Sequence, residues 1–234
     1  MPYRSPDRRA TTPQDRGRFP GFDVLAQVDR WDDVTAGAVL ARLSHPTGLS
    51  FFTVAEVAVA APLLDLLLAQ DAEPRVPVLE LIDERLAVGE TDGWHYDTMP
   101  EDGEAFRRTF AALDADARAA TGQIFHEQTW DDQAARVQRV QDLSNAGERW
   151  HDLPAKHVWS LWTRYACAAF YSHPWAWNEI GFGGPAYPRG YKNLGIDRRE
   201  PWEVADRRPV DPVGVDAGGA GVRDDAAAHR QGAE

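Results

Sequence analysis

The chain has 234 residues, of which 43% are hydrophobic and 26% charged, as is usual for a globular protein with one domain and tails. Its formal net charge of −12 repels phosphate backbones and anionic lipid heads, which argues against nucleic acid as a partner. The single cysteine, Cys167, excludes an internal disulfide, and a c-type haem or iron–sulfur cluster held by this chain alone. Cys167 lies in an Ala-, Tyr- and Phe-rich stretch that predicts a buried position.

The two ends of the chain are predicted to be disordered, because they have little apolar surface to bury. Residues 1–20 are rich in Arg, Pro, Thr and Asp, and residues 205–234 are rich in Asp, Gly, Ala and Arg. Residues 21–204 are therefore predicted to form one domain. Within it, scattered apolar positions over 21–48 predict one or two short helices that lie over the core.

Helix signals begin at Thr53. Thr53 and Glu56 have the spacing of a capping box, which predicts a helix to about Gln70 that Pro62 either kinks or splits. This is the most apolar part of the chain, but charged residues and the proline interrupt it, so no transmembrane helix is predicted. Pro77 fits the first turn of a second helix.

An acidic loop is predicted over residues 89–103. Four of its carboxylates are expected to be solvated or to face a basic patch on a partner. They are Asp92, Asp97, Glu101 and Asp102.

Four more helices are predicted after this loop. Apolar residues at i, i+4 and i+7 from Phe106 indicate a third helix, and Asp114 is predicted to cap a fourth that runs through Phe125. Thr129 is predicted to open a fifth helix and Pro154 a sixth. Since no segment alternates with period 2 for long, the predicted fold class is all-α, a compact helical bundle.

The segment that follows the sixth helix, residues 172–196, has an unusual composition. It carries two tryptophans, five glycines, three prolines and three further aromatic residues. Gly and Pro argue against regular helix or central strand, and the aromatic content argues against disorder. We therefore predict an ordered, extended arm whose aromatic anchors either bind a partner, pack on the bundle as a lid, or do both. The candidate partner-binding residues are Trp175, Trp177, Glu179, Phe182, Tyr187, Arg189 and Tyr191.

Glu179 and Arg189 are charged residues within this apolar arm. Buried charges need partners, so the two are predicted to pair with each other or to reach across to a partner protein.

The arm also carries a resemblance to a known family. The sequences Phe170-Tyr171-Ser172 and Glu179-Ile180-Gly181-Phe182 and residues 184–191 resemble the C-terminal part of the gluconate 2-dehydrogenase subunit 3 family. Phe51-Phe52-Thr53, followed by an Ala- and Leu-rich helix, resembles its start. The resemblance extends over about residues 51–204.

The resemblance implies a non-catalytic accessory subunit of a flavin-dependent dehydrogenase that oxidises a sugar or sugar acid such as gluconate. The large subunit, of the glucose–methanol–choline type, would hold FAD and pass electrons to a cytochrome c or another acceptor, while the small subunit would help it to mature. No catalytic, cofactor-binding or metal-binding residue is expected in this chain. Small subunits of the family often carry an export signal. Because the residues after Arg8-Arg9 are polar, the expected location is the cytoplasm, or outside it if the partner carries the signal.

Two other interpretations remain open. An independent enzyme would use acids such as Glu179 or Asp97, but no nucleophile–base set accompanies them. His126-Glu127 lacks the second histidine of a zinc-protease helix, and the glycines around Phe182 lack the dinucleotide-binding spacing. A stand-alone helical protein that binds a ligand such as a sugar or quinone, or that regulates another protein, is the second alternative.

Overall fold

The computed structural model describes residues 19, 21–44, 48–188, 190, 198–199 and 203. The regular secondary structure of these residues is helical apart from one very short hairpin, which confirms the all-α prediction. The predicted disorder of 1–20 and 205–234 falls almost wholly outside the described residues. In chain order the elements are a 3-10 helix Val24–Arg30, α1 Asp33–Ala41, α2 Val54–Leu68, α3 Val78–Ala87, α4 Asp102–Thr121, a 3-10 turn Phe125–Glu127, α5 Trp130–Ala146, β1 Arg149–Trp150, β2 Leu153–Pro154, α6 Ala155–Ser172 and α7 Pro174–Ile180.

Helix α2 begins at the predicted capping box. The Thr53 hydroxyl accepts a hydrogen bond from the Glu56 backbone N–H at 3.3 Å, and the Glu56 carboxylate accepts from the Thr53 N–H at 2.7 Å. The helix continues past Pro62 as one element, so the split that Pro62 allowed is not present. Pro62 lacks the N–H that would make one backbone hydrogen bond of the helix. The buried side chains of Val59 and Leu63, on either side of the proline, stabilise the helix in spite of that loss.

Helix α4 is one helix where two were predicted. Asp114 lies inside it, and its carboxylate accepts a hydrogen bond at 2.9 Å from the backbone N–H of Phe125, beyond the helix end. The predicted cap therefore fastens the chain that leaves the helix. The run after Asp114 is rich in alanine and stays helical until Gly122, which takes the left-handed conformation with φ +80°.

The main core lies around α6, which packs against α2, α3, α4 and α5. Trp162 and Tyr165 on α6 are fully buried with Phe106 on α4. Tyr165 and Phe106 meet edge to face at 5.2 Å between ring centroids. No helix in the described part of the chain is long and apolar enough to cross a membrane.

A second, smaller core joins the start of the chain to α7. Residues 22–43, which we call the strap, bury Val24, Trp31 and Val39 against Trp177 of α7. The prediction of short helices in this part of the chain is confirmed, but they pack against α7 of the arm in a core separate from the main one.

A tight antiparallel hairpin joins α5 to α6. It pairs Trp150 with Leu153, and His151 in its turn has φ +50°. The His151 ring lies 2.9 Å from the Asp116 carboxylate, which also accepts a hydrogen bond from the Trp150 indole at 2.8 Å. Strands of two residues are too short to show alternation, so they could not be predicted from the pattern of apolar residues.

Candidate docking site

The first part of the predicted arm is a helix, so the expectation that this whole segment is irregular is wrong. Helix α7 has Pro174 in its first turn and the His173 ring as its cap, which accepts a hydrogen bond from the Trp175 N–H at 3.2 Å. Gly181 ends the helix with φ +68°. A proline just inside a helix start and a glycine just past its end are recognisable sequence signals, and this pair marks a helix of seven residues.

The strap holds the inner side of the arm through specific contacts. The Val24 backbone N–H donates to the Asn178 side-chain oxygen at 2.7 Å, and the Trp31 indole N–H donates to the Pro185 carbonyl at 2.9 Å. Gly184 lies against the Trp31 ring with φ +76°, and a Cβ there would come within 2.4 Å of the ring. The arm therefore packs on its own chain on this side, as the lid interpretation expects.

The two tryptophans of the arm, Trp175 and Trp177, pack against other parts of the same chain. Trp177 is buried in the second core and donates its indole N–H to the Tyr171 carbonyl at 2.7 Å. The Arg42 guanidinium lies 5.8 Å from the Trp177 ring centre and donates to the Ser172 carbonyl at 3.0 Å. Trp175 is half-buried against the main core. Direct contact of these tryptophans with a partner stays a prediction, and their observed contacts are internal.

The outer side of the arm exposes large apolar side chains. Phe182 and Tyr187, both predicted candidates, are 41% and 66% exposed. Tyr171 and Ile180 join them at 46% and 51% exposed. We call these four side chains the docking face. The ring centroids of Phe182 and the buried Trp177 lie 5.4 Å apart in an edge-to-face arrangement, so Trp177 holds the exposed Phe182 ring in position.

Tyr171 and Ile180 were not among the candidate partner-binding residues predicted from the sequence. A usable signal existed for Tyr171, because it lies one helical turn beyond Cys167 on a face of α6 opposite to the buried Trp162 and Tyr165. Cys167 itself is exposed, so its predicted burial is wrong for the same reason. The apolar composition around Cys167 indicated a core residue, but Cys167 lies on the exposed face of α6.

Glu179 is half-buried in α7, next to the docking face. Burial raises the pKa of this carboxyl to about 7. Burial also raises the pKa of Tyr171, with smaller contributions from the negative charges of Cys167 and Glu179. The predicted pair of Glu179 with Arg189 stays a prediction, because Arg189 and Tyr191 lie outside the described residues.

Two of the four acids predicted to be solvated are held in an ionic cluster. Asp102 is buried and accepts a hydrogen bond from the Tyr165 hydroxyl at 2.6 Å. Arg164 lies 3.5 Å from Asp102 and also pairs with Asp92, which Arg85 contacts at 3.1 Å.

This cluster fastens the acidic loop to α6 and α3. Burial, followed by the Asp102 carboxylate, raises the pKa of Tyr165, so the phenol keeps its proton and remains a donor. Asp97 and Glu101 are exposed, as predicted.

No three His, Cys, Asp or Glu side chains are placed to hold a metal ion within the portions of the chain described above. Asp116 and His151 form a pair that fixes the hairpin turn to α4.

The comparisons with known proteins bear on residues 55–184, which match the model of the gluconate 2-dehydrogenase subunit 3 family. The match is more than half of the chain, and runs from the first turn of α2 to the glycine that packs on Trp31. No curated protein and no solved structure matches the chain. The matched region contains the helical bundle and most of the docking face, and on that basis the chain belongs to the gluconate 2-dehydrogenase subunit 3 family.

Proposed function

We propose that this chain is a non-catalytic accessory subunit of an FAD-dependent dehydrogenase of the glucose–methanol–choline type, whose substrate is a sugar or sugar acid. The family name implies a dehydrogenase with several subunits. The observation that carries the proposal is the docking face, a set of exposed apolar side chains at the end of α6 and along an arm that the strap holds, largely inside the family-matched residues.

The rigidity of the arm matters for binding. Ordering flexible side chains and loops at an interface costs free energy, and a surface that is already ordered avoids that cost. Here Trp31 and Trp177 fix the backbone under Phe182, so the aromatic ring is presented in one place. Aromatic anchors of this kind supply much of the binding energy in protein interfaces.

The chain would act on its partner through mass action. A protein that binds only the folded, FAD-loaded flavoprotein stabilises that state, by about 2.7 kcal/mol when its concentration is 100 times its dissociation constant. The FAD and the catalytic groups would belong to the partner, and electrons would pass from its flavin to a cytochrome c or another acceptor.

The test is to express the flavoprotein subunit with this chain and with two matched variants. Ile180→Asp places a charge on the docking face, and Val54→Asp places one at an 89% exposed position in the first turn of α2. We expect Ile180→Asp to lose co-purification and to lower the soluble yield and flavin content of the partner, while Val54→Asp behaves as wild type.

A flavoprotein that is soluble, FAD-loaded and active without this chain would contradict the proposed role. In that case, binding of sugars or quinones to the isolated chain would be measured next, for the alternative of a stand-alone ligand-binding or regulatory bundle.

A further inference from the structure

Glu179 is the one acidic side chain of α7, and α7 also contributes Ile180 to the docking face. Its carboxylate makes no hydrogen bond or ion pair with any side chain in the part of the chain that the structure describes. It is half-buried already in the free chain, and it interacts electrostatically with Tyr171, another member of the face.

Docking would remove much of the remaining water from this carboxylate. An ionised carboxylate that loses its water without gaining a counter-charge is strongly destabilising. Apolar contacts at Ile180 and Phe182 do nothing to offset that cost. Unless Arg189 of this chain pairs with Glu179, a partner that binds the face well must therefore supply a cation opposite Glu179 or bind the chain with Glu179 protonated.

We propose that Glu179 determines partner specificity by pairing with a lysine or arginine that the flavoprotein subunit presents within an apolar patch. This inference rests on the proposed function. A cation within an apolar patch is complementary to a half-buried carboxylate that lies close enough to Tyr171 to raise the pKa of its phenol and directly precedes the exposed Ile180. An apolar surface without the cation would be rejected, because it would leave the Glu179 charge buried and unpaired.

The two modes of binding have opposite pH dependence. If a cation pairs with Glu179, the ionised form binds more tightly and affinity rises with pH through the pKa of about 7. If no cation is present, the protonated form binds more tightly and affinity falls over the same range.

Other groups near α7 can contribute to a pH profile and must be separated from Glu179. The neighbours come from the α7 cap, from α6, from α1 and from the 3-10 helix of the strap. They are His173, Cys167, Tyr171, Arg42, Asp23, Asp29 and Arg30. A Glu179→Gln variant keeps all of them, so the difference between its profile and that of wild type belongs to Glu179.

The experiment measures the dissociation constant for the FAD-loaded flavoprotein subunit from pH 5.5 to 8.5, with wild-type chain, Glu179→Gln and Glu84→Gln. Glu84 is an exposed residue of α3, and its variant makes the same change in net charge away from the arm. We expect wild-type affinity to rise with pH, and Glu179→Gln to bind at least about tenfold more weakly at pH 8 with a flatter profile. Glu84→Gln should follow wild type.

Equal or tighter binding by Glu179→Gln at pH 8, with wild-type affinity that falls as pH rises, would overturn this inference and leave the accessory-subunit role intact. Absence of wild-type binding at every pH would overturn the accessory role and this inference with it. Melting curves of the isolated chains show whether Glu179→Gln is folded, and glutamine has almost the same shape as glutamate.

Discussion

Asp83 is a buried carboxylate whose shortest hydrogen bonds all come from backbone N–H groups, with the Ser50 hydroxyl a longer fourth donor at 3.5 Å. Its side chain is 1% exposed, and it accepts hydrogen bonds from the N–H groups of three consecutive residues. The distances are 2.6 Å from Ser50, 3.1 Å from Phe51 and 2.8 Å from Phe52. Successive N–H groups that converge on one anion satisfy the charge and fix the backbone. Asp83 thereby ties the segment that leads into α2 to α3.

Replacement of Asp83 by alanine should be strongly destabilising, because it leaves three backbone donors without their acceptor. We expect Asp83→Ala to lower the free energy of unfolding by about 2 to 4 kcal/mol in urea titrations. Its exposed neighbour Glu84 is a matched control, and Glu84→Ala should stay within about 0.5 kcal/mol of wild type. Equal effects of the two substitutions would show that the Asp83 contacts contribute little.

At the scale of single elements, the strap and α7 depend on each other. Neither contains a helix long enough to be stable alone, since isolated helices shorter than about 12 residues are marginal in water. Each buries its apolar side against the other, with Trp31 and Trp177 in the same small core. The docking face is therefore only as ordered as the strap beneath it.

Removal of the Trp31 ring should loosen the arm and leave the main bundle folded. In Trp31→Ala we expect faster amide hydrogen exchange over 174–187 and little change in α2 to α6, because Trp31 lies outside the main core. Hydrogen exchange followed by mass spectrometry checks this by region.

Val34→Ala on the exposed side of α1 is the control and should exchange as wild type does. Uniformly faster exchange throughout the Trp31→Ala bundle would contradict the separation of the two cores.

The sequence predicted elements well where the signals were local, and missed contacts between distant residues. The capping box at Thr53 predicted the start of α2 because its two partners are three residues apart. The Asp102–Tyr165 hydrogen bond joins residues 63 positions apart, so spacing alone indicated a solvated acid. At the candidate site, composition identified the arm. It did not distinguish Trp177, which is buried, from Phe182, which is exposed, because that depends on the strap.

At the scale of the whole molecule, two half-buried carboxyl groups, Asp65 and Glu179, make stability depend on pH. Burial raises the pKa of Asp65 from 3.8 to about 6, outweighing the opposing effect of Arg75 at 2.5 Å, and raises that of Glu179 from 4.5 to about 7. Both groups keep their protons in the folded chain at pH values where the unfolded chain has released them. Stability is therefore lost as pH rises from about 4 to 7, and the loss levels off above the folded-state pKa values.

The isolated chain should accordingly melt at a lower temperature at pH 8 than at pH 5.5. In Glu179→Gln the fall should be smaller, because the neutral amide has no charge to bury, and the variant should melt above wild type only in the upper part of the range. Thermal unfolding followed by circular dichroism at several pH values checks both expectations. A wild-type melting temperature that rises steadily with pH would contradict the assignment.

The contacts between the strap and the arm join residues 154 positions apart, Val24 with Asn178 and Trp31 with Pro185. During synthesis on the ribosome, the strap emerges early and has nothing to pack against until the residues near 185 have followed. The helical bundle can assemble before that moment, but the surface at Phe182 cannot. A truncated nascent chain therefore displays the bundle without an ordered docking face, and a partner that recognises this face would bind only chains translated at least that far.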